Sequence, residues 1–206
     1  MMNAISNDSQ KFVKEKWQEK LSPYLKIWSL VYKENEALNV GKILFKINEV
    51  DPINMFIRSE CLLIISIAKL IDSTIRSIND VLYSSGILTS SVMNDCISLL
   101  QNTVPESWIN MWDGPSLPLD YIKSFSKKLS GSNNLANLAV NDKIMESQIN
   151  LSEFINPITF LNALRQKTSR KLKVPIDELE IFCDFDKSGG SKFRAKDHIY
   201  SKVLIF

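Results

Sequence analysis

The sequence predicts a mainly α-helical protein, an antiparallel helical bundle with one long helix and a small C-terminal β-hairpin. Two observations support this prediction. Apolar residues recur at spacings of three and four through most of the 206 residues, and strict alternation of apolar and polar residues begins only at Leu179. The chain also has only 6 glycines and 7 prolines, which argues against a fibrous protein or a glycine-rich barrel.

Composition and charge exclude several classes of function. The residues are 45% hydrophobic and 23% charged, as in ordinary globular proteins, and the net charge of +2 predicts no nucleic-acid or membrane partner. The single histidine, His198, has no nucleophile or second base paired with it in the sequence, which argues against a histidine-based catalytic triad. With the cysteines Cys61, Cys96 and Cys183 it supplies few ligands for a zinc site that needs several Cys and His. We therefore expect no cofactor, no metal and reduced thiols in a reducing compartment.

The first residues contain no basic segment followed by an apolar run, so we expect no secretory signal. The most apolar stretch, residues 61–68, is too short to span a bilayer, which takes about 20 residues. Residues 8–47 are predicted to be helical, with Pro23 opening a second helix at its first turn. Gly41 weakens the prediction for residues 35–50.

The strongest local pattern predicts one long helix over residues 51–84. Asp51 can cap it and Pro52 fits its first position. Inward apolar residues then alternate at spacings of four and three, at Ile57, Cys61, Ile64, Ala68, Ile71, Ile75, Ile78 and Leu82. This spacing fits a bundle helix or a coiled-coil dimer, and further apolar residues make the face wider than a coiled-coil seam. A straight helix of about 50 Å would be longer than the diameter of a compact domain of this size. We therefore expect the helix to bend, or one of its ends to contact a structure outside this chain.

Three shorter helices are predicted after the long one. The first covers residues 89–102, with Thr89 or Ser90 as its cap, and the second covers residues 118–130, ended by the segment 131–134. Residues 135–150 are ambiguous and are interpreted as a loop insertion. The third helix is predicted to be capped by Asn156 and to start at Pro157. Its inward residues are expected to be Ile158, Leu161, Leu164, Thr168 and Leu172.

Residues 179–185 alternate like a half-buried strand, residues 186–190 are typical of a hairpin turn, and residues 198–206 are predicted as a second strand. The segment 184–189 matches the first half of a calcium-binding loop, but Ala195 stands where that loop needs a glutamate. The sequence also lacks the GxxxxGK[ST] pattern of a phosphate-binding loop. We therefore expect no calcium site and no nucleotide hydrolysis by this chain.

A basic cluster lies near the end of the last predicted helix. Its members are Arg165, Lys167, Arg170, Lys171 and Lys173. A nucleic-acid surface would interleave aromatic residues with the basic ones, and none lies between 165 and 173. We interpret the cluster as a candidate partner-contact surface.

Several segments, in order, resemble motifs in the C-terminal region of dynein heavy chains. Residues 104–108 (VPESW) resemble "VPxxW", and they follow a helix that begins with Asp51-Pro52 and carries Glu60, as in the family's "DPL…E" helix. Residues 120–129 resemble an aromatic "DFxxR" helix, 151–157 resemble "LSGxFxP", 159–166 resemble "TAxRQ", and 176–179 resemble a turn before the first strand. Three residues depart from the family pattern, since Ser124, Lys128 and Glu153 replace Asp, Arg and Gly. Because glycine adopts backbone conformations that are strained for glutamate, the family's local conformation is in question at Glu153.

The resemblance implies two segments. Residues 1–50 are similar to the end of the small subdomain of the last AAA+ module. Residues 51–206 are similar to the dynein C-terminal domain, with helices to about 173 and a β-hairpin over about 179–206, in a short, fungal-type or truncated version. The Arg165-Gln166 pair is closer to cytoplasmic than to axonemal dyneins.

The resemblance further implies a non-catalytic domain in the cytoplasm and cytoskeleton. It would pack on the AAA+ ring of the same heavy chain and modulate a minus-end-directed microtubule motor. ATP, microtubules and other dynein subunits would be met only through the full-length motor, with no nucleic acid and no membrane. The expected structural anchors are Trp108, Pro105, Pro157, Phe160 and Phe125. The alternative is a helical adaptor or coiled-coil dimerisation module, and an uncharacterised enzyme has little support.

Overall fold

The computed structural model describes residues 12–35, 44, 46–47, 50–185, 191–195, 200–201 and 203–204, and these are mainly helical, as predicted. The protein divides into two compact units. Unit 1 comprises Met1–Glu34 and Ile67–Phe125, and unit 2 comprises Asn35–Ser66 and Ser126–Phe206. The predicted turn at 186–190, His198 and the side chain of Cys183 lie outside the described part, as do most of residues 35–50.

Helix α1 (Lys14–Asn35) contains Pro23 in its interior, so the prediction of a second helix opening at Pro23 is wrong. Proline removes one backbone hydrogen bond and crowds the preceding turn, which usually ends or kinks a helix. Tertiary contacts in unit 1 hold α1 on both sides of this position. The Gln18 side chain donates to the Leu82 carbonyl at 2.6 Å, and the Trp28 indole donates to Asp72 at 3.1 Å.

Helix α2 (Pro52–Tyr83) is the predicted long helix. Asp51 caps it, because its Oδ1 accepts hydrogen bonds from the backbone N–H groups of Ile53 at 2.8 Å and Asn54 at 3.3 Å. All eight residues of the predicted inward series, from Ile57 to Leu82, are buried. The heptad pattern therefore marks the core-facing side of a single helix within this protein.

Helices α3 (Ser90–Leu100) and α4 (Glu106–Ile109) complete unit 1 together with the start of the next helix. Thr89 caps α3 as predicted, since its hydroxyl accepts from the Val92 N–H at 3.3 Å. The core of unit 1 includes several aromatic side chains among its aliphatic residues. The Trp108 indole donates to the Thr74 hydroxyl at 3.3 Å, and the Tyr121 hydroxyl donates to the Trp108 carbonyl at 2.9 Å.

Helix α5 (Pro118–Val140) runs through the segment 131–134, so the prediction that this segment ends the helix is wrong. The interpretation of 135–150 as a loop insertion is wrong for residues 135–140, which are helical, whereas a turn, a 3₁₀ turn and a two-residue strand follow over 141–150. Gly131 is buried, and the Glu153 side chain occupies the space beside it. A Cβ at position 131 would lie 2.5 Å from Glu153 Oε2 and 2.7 Å from Glu153 Cβ. The glycine therefore serves close packing inside the helix rather than helix termination.

Unit 2 continues with two single 3₁₀ turns, Ile144–Glu146 and Leu151–Glu153, and with helix α6 (Pro157–Leu172). Its apolar core joins the start of α2, the end of α5 and α6, and it includes the aromatic rings of Phe56, Phe154 and Phe160. Ile158 is 73% exposed, so its predicted inward position is wrong. Phe160 and Ala163 face the core instead, so the buried face of α6 is rotated about the helix axis relative to the predicted face.

The described strands are β1 (Ile149–Asn150), β2 (Ile181–Phe185), β3 (Ser191–Ala195), β4 (Tyr200–Ser201) and β5 (Val203–Leu204). Strand β2 pairs antiparallel with β3, β3 pairs antiparallel with β4, and β1 pairs parallel with β5. The sequence predicts a second strand over 198–206, where the described residues 200–201 and 203–204 are in strands, but the strand that pairs with β2 is Ser191–Ala195. Strands joined by a short connection pair most readily, which favours β3 over a later segment.

Replacing Gly131 with alanine tests the packing of α5. We expect Gly131→Ala to lower the free energy of unfolding by about 1–2 kcal/mol, because overpacking against Glu153 outweighs alanine's advantage in a helix. Urea denaturation measures this change. The double variant Gly131→Ala/Glu153→Gly should recover the loss, and Asn134→Ala, on the exposed side of α5, should cost nothing. A single Gly131→Ala variant as stable as the parent would contradict the role of Glu153.

Candidate functional site

The Glu60 carboxylate is a charged group inside unit 2, on a side chain only 3% exposed. Its Oε1 accepts hydrogen bonds from the backbone N–H of Ile155 and, at 3.1 Å, from the backbone N–H of Asn156. Its Oε2 accepts from the Asn156 side-chain amide at 3.1 Å. Asn156 thus occupies the predicted cap position of α6, but its side chain makes no capping hydrogen bond to that helix. Glu60 therefore holds the backbone just before α6, and its hydrogen-bonding capacity is used within the fold.

Lys128 on α5 holds the same loop from its other side. Its ammonium group donates to the Phe154 carbonyl at 2.6 Å and to the Ser152 carbonyl at 3.0 Å. Burial lowers the pKa of Lys128, while the nearby carboxylates of Glu60 and Glu153 act in the opposite direction. We call Glu60, Lys128 and the loop 151–156 the buried polar network.

Three segments that resemble family motifs meet in this network, namely the start of α2, the helix of Lys128 and the loop before α6. Glu153, which replaces the family's glycine, adopts ordinary backbone angles, because the described non-glycine residues with positive φ are Asn102, Asp142 and Lys173. The left-handed conformation that only glycine adopts freely is therefore not needed at position 153. The sequence singled out Glu60 and Lys128 only through the resemblance, and their convergence could not be read from spacing.

The basic cluster is divided by the fold. Lys167 forms an ion pair with Asp51 at 2.7 Å, the Arg165 guanidinium donates to the Ile176 carbonyl at 3.0 Å, and that of Arg170 donates to the Val50 carbonyl at 3.0 Å. Lys171 and Lys173 have exposed side chains at the C-terminal end of α6. Three of the five basic residues thus take part in contacts within unit 2.

The aromatic residues expected as anchors lie in two different cores. In unit 1, Trp108 and Phe125 are fully buried, Pro105 is also buried, and Phe125 stacks on Trp28 with ring centres 6.4 Å apart. In unit 2, Phe160 is 1% exposed, and Pro157 occupies the first position of α6 and is half-buried.

The described residues offer neither a reactive thiol nor a cluster of metal ligands. Burial raises the pKa of both Cys61 and Cys96 to about 12, with further contributions from Glu60 and Asp95 respectively, so these thiols stay protonated at neutral pH. The described residues contain no group of three His, Cys, Asp or Glu side chains placed to hold a metal ion.

Among the helices that the structure describes, none carries an apolar run long enough to cross a bilayer.

The outward face of α2 is the other candidate surface. In unit 2 its exposed outward residues follow a four-three spacing and carry no charge. They are Met55, Ser59, Leu62 and Ser66. Met55 is 52% exposed and Leu62 is 48% exposed, which leaves apolar area on the protein surface.

The family model for the C-terminal domain of dynein heavy chains matches residues 2–203. This protein belongs to that family. Cytoplasmic dynein 2 heavy chain 1 from Tripneustes gratilla is 30% identical over 198 residues, and the human protein of the same name is 28% identical over 170 residues. Human dynein axonemal heavy chain 9 is 26% identical over 178 residues. These matches span 91%, 82% and 86% of the present sequence and about 4% of each relative.

The resemblance to dynein heavy chains is thereby confirmed. The family match extends over residues 2–50 as well as over the segment that starts at residue 51, so a single family description covers both segments that the sequence separated. The residues of the dynein-like motifs make contacts within their own units, Trp108 in unit 1 and Glu60, Lys128 and Arg165 in unit 2. This protein therefore uses these motif positions for contacts within its own fold.

The ion pair between Asp51 and Lys167 allows a test of how much the basic cluster contributes to the stability of the fold. Burial raises the pKa of Asp51, but the Lys167 ammonium and the N–H groups of Ile53 and Asn54 outweigh it and hold the pKa below its usual value. A lowered carboxyl pKa stabilises the fold above the unfolded-state pKa, and this contribution is lost as the pH falls through the folded-state value.

We therefore expect Asp51→Asn, which keeps the helix cap, to lower the free energy of unfolding by about 0.5–1 kcal/mol at pH 7. This difference from the parent should shrink as the pH falls from about 4 to about 3. Urea denaturation of the parent, Asp51→Asn, Lys167→Met and the double variant checks both points. A difference that is equally large at pH 7 and pH 3 would show that the Asp51 charge is not its source.

Glu60 gives a further prediction. Glu60→Gln should lower the free energy of unfolding by about 3 kcal/mol, because it removes the charge that faces Lys128 and places an NH2 donor opposite the donating side-chain amide of Asn156. The matched control is Lys123→Gln, which breaks an exposed ion pair with Asp120 and should change stability by less than about 0.5 kcal/mol. Denaturation of both variants decides the matter, and equal small losses would refute a central role for the network.

Proposed function

We propose that this protein is a non-catalytic part of a cytoplasmic, ATP-driven motor that moves toward microtubule minus ends. In this proposal it packs on the AAA+ ring of the same heavy chain and modulates force and processivity. ATP, microtubules and other dynein subunits are engaged only by the full-length motor, which works in the cytoplasm and on the cytoskeleton. The observation that carries the proposal is the family match over residues 2–203, joined to motif residues that are used for internal contacts.

The finer architecture belongs to the same proposal. Residues 1–50 form the end of the last AAA+ small subdomain, and residues 51–206 form the C-terminal domain, with its helices in an antiparallel bundle followed by a β-hairpin over about 179–206. Short connections between α3, α4 and α5 favour antiparallel neighbours. The antiparallel pairing of β2 with β3 supports the hairpin.

The exposed Lys171 and Lys173 support a partner surface at the end of α6. Arg165, Lys167 and Arg170 would shape this surface while holding their own contacts. The anchors Trp108, Pro105, Phe125, Pro157 and Phe160 would keep the two cores rigid.

A helical adaptor or coiled-coil dimerisation module is the second candidate. It would associate through the heptad series of α2, and all eight of these residues are buried within the fold. Sedimentation of the isolated protein separates the two, since the proposed motor domain should be a monomer.

The test uses a dynein heavy chain that includes this domain. We expect a motor without residues 51–206 to retain microtubule-stimulated ATP hydrolysis and to change its run length and stall force. Glu60→Gln should shift the same quantities in the same direction, and Lys123→Gln should leave them unchanged. Identical run length and stall force with and without the domain would refute the proposed modulation. ATP turnover by the isolated 206-residue protein would refute its non-catalytic role.

A further inference from the structure

Helix α6 and the residues that flank it carry charge of one sign. Residues 154–176 contain five basic side chains and no acidic one, and because the whole chain carries only +2, the other residues together carry −3. The other long helices, α1, α2 and α5, each contain acidic as well as basic residues. The excess positive charge of this protein is therefore concentrated on one helix.

Most of this charge is not neutralised within the fold. The ion pair between Lys167 and Asp51 neutralises one of the five charges. The two arginines donate to backbone carbonyl groups, which carry no net charge. Lys171 and Lys173 are exposed and form no ion pair with any residue that the structure describes. Four positive charges therefore remain in the C-terminal half of α6 and just after it.

The next acidic residues in the sequence follow α6 on a short turn. Asp177 and Glu178 belong to the 3₁₀ turn Ile176–Glu178, and both are exposed. Within the described part of the chain, no ion pair joins either of them to Lys171 or Lys173. Their negative charge opposes the attraction of an anion to the lysines without neutralising them.

The backbone that carries the two lysines is held by hydrogen bonds. The Ser169 hydroxyl donates to the Val174 carbonyl at 2.6 Å, across Lys173, which has a left-handed backbone conformation. The Arg165 guanidinium donates to the Ile176 carbonyl at 3.0 Å. A partner therefore meets charges on a preorganised backbone, which reduces the conformational entropy lost on binding.

The composition of this surface distinguishes between classes of anionic partner. Surfaces for single-stranded nucleic acids add aromatic side chains, and residues 161–176 contain none. Surfaces that lie on membranes add exposed apolar side chains, whereas Leu172, Val174 and Ile176 are only partly exposed. Permanent protein interfaces are more hydrophobic than reversible ones, and complementary charge mainly steers reversible association. The surface therefore fits a reversible protein partner with acidic side chains.

We propose that the C-terminal end of α6, with Arg170, Lys171 and Lys173, binds an acidic peptide segment of a separate protein chain. This inference rests on the proposed function, because it gives the partner chemistry of the surface proposed there. Carboxylates of the partner face the lysine ammonium groups, so the contact is electrostatic and is weakened by salt. The surface stays open to this partner in the assembled motor.

Binding of a fluorescently labelled polyglutamate peptide to the 206-residue protein, followed by anisotropy, tests the charge chemistry. Lys171→Gln/Lys173→Gln should weaken binding about five- to tenfold, and added salt should weaken it in the parent. The matched control is Lys123→Gln/Lys127→Gln, which removes the same charge from exposed positions of α5 and should bind like the parent. Equal weakening by the two double variants would overturn the proposal, since net charge alone would then explain the binding.

Further arms of the same experiment identify the ligand. Asp177→Asn/Glu178→Gln should bind polyglutamate more tightly, because it removes the opposing charge. Absence of polyglutamate binding at low salt would overturn the proposal. Tighter binding of duplex DNA, or of vesicles that contain phosphatidylserine, through the same two lysines would overturn it as well, since the ligand would then be a nucleic acid or a membrane.

Cysteine labelling of a dynein heavy chain that includes this domain tests whether the surface stays open. Gln166→Cys places a thiol one helical turn before Arg170, at an exposed position of α6. A maleimide should label it at the same rate in the heavy chain and in the isolated protein. The parent supplies the background, since burial raises the pKa of Cys61 and Cys96 to about 12. Several-fold slower labelling in the heavy chain would overturn the proposal, because the heavy chain itself would then cover the surface.

This inference and the proposed function fail in different ways. A motor whose run length and stall force do not depend on residues 51–206, but which binds polyglutamate through Lys171 and Lys173, would refute the modulation and keep the acidic partner. A motor that the domain modulates, but whose polyglutamate binding is unchanged in Lys171→Gln/Lys173→Gln, would keep the modulation and refute the acidic partner.

Discussion

The Glu60 carboxylate is a charge removed from water, and unit 2 is arranged around satisfying it. Two backbone N–H groups and one side-chain amide donate hydrogen bonds to its oxygens. The Lys128 ammonium interacts electrostatically with this carboxylate and donates hydrogen bonds to two carbonyls of the same loop. A buried charge is tolerated only when hydrogen bonds and an opposite charge replace its hydration. The loop 151–156 is therefore held from two helices, and α6 begins where this loop ends.

The same reasoning separates structure from function in this protein. The residues that resemble dynein motifs mostly make contacts within their own unit, as Trp108 does with Thr74 in unit 1 and as Arg165 does with the Ile176 carbonyl in unit 2. Groups whose hydrogen bonds are satisfied internally are poor candidates for contact with a substrate. A role in a larger assembly must then come from exposed faces, and the uncharged stretch of α2 and the lysines at the end of α6 are two such faces.

Residues whose role is local were predicted well. Thr89 caps α3, Asp51 caps α2, and the eight-residue apolar series of α2 is buried throughout, because capping and amphipathic spacing depend on neighbours within one or two turns. Errors arose where distant contacts override a local tendency. Gly131 sits inside α5 because Glu153 fills the space beside it, and Ile158 is exposed because Phe160 and Ala163 reach the core from the next positions of the turn.

The sequence by itself determined the helical character, the caps of α2 and α3, the inward face of the long helix and the family, since each depends on residue types at short spacings or in a fixed order. Only the tertiary structure decided which charged side chains form contacts within the fold. Glu60 and the loop residues that it binds are 95 and 96 positions apart, and Lys167 pairs with Asp51 from a different helix. No local periodicity encodes such partners, because they meet only when burial of the apolar faces brings distant backbone segments together.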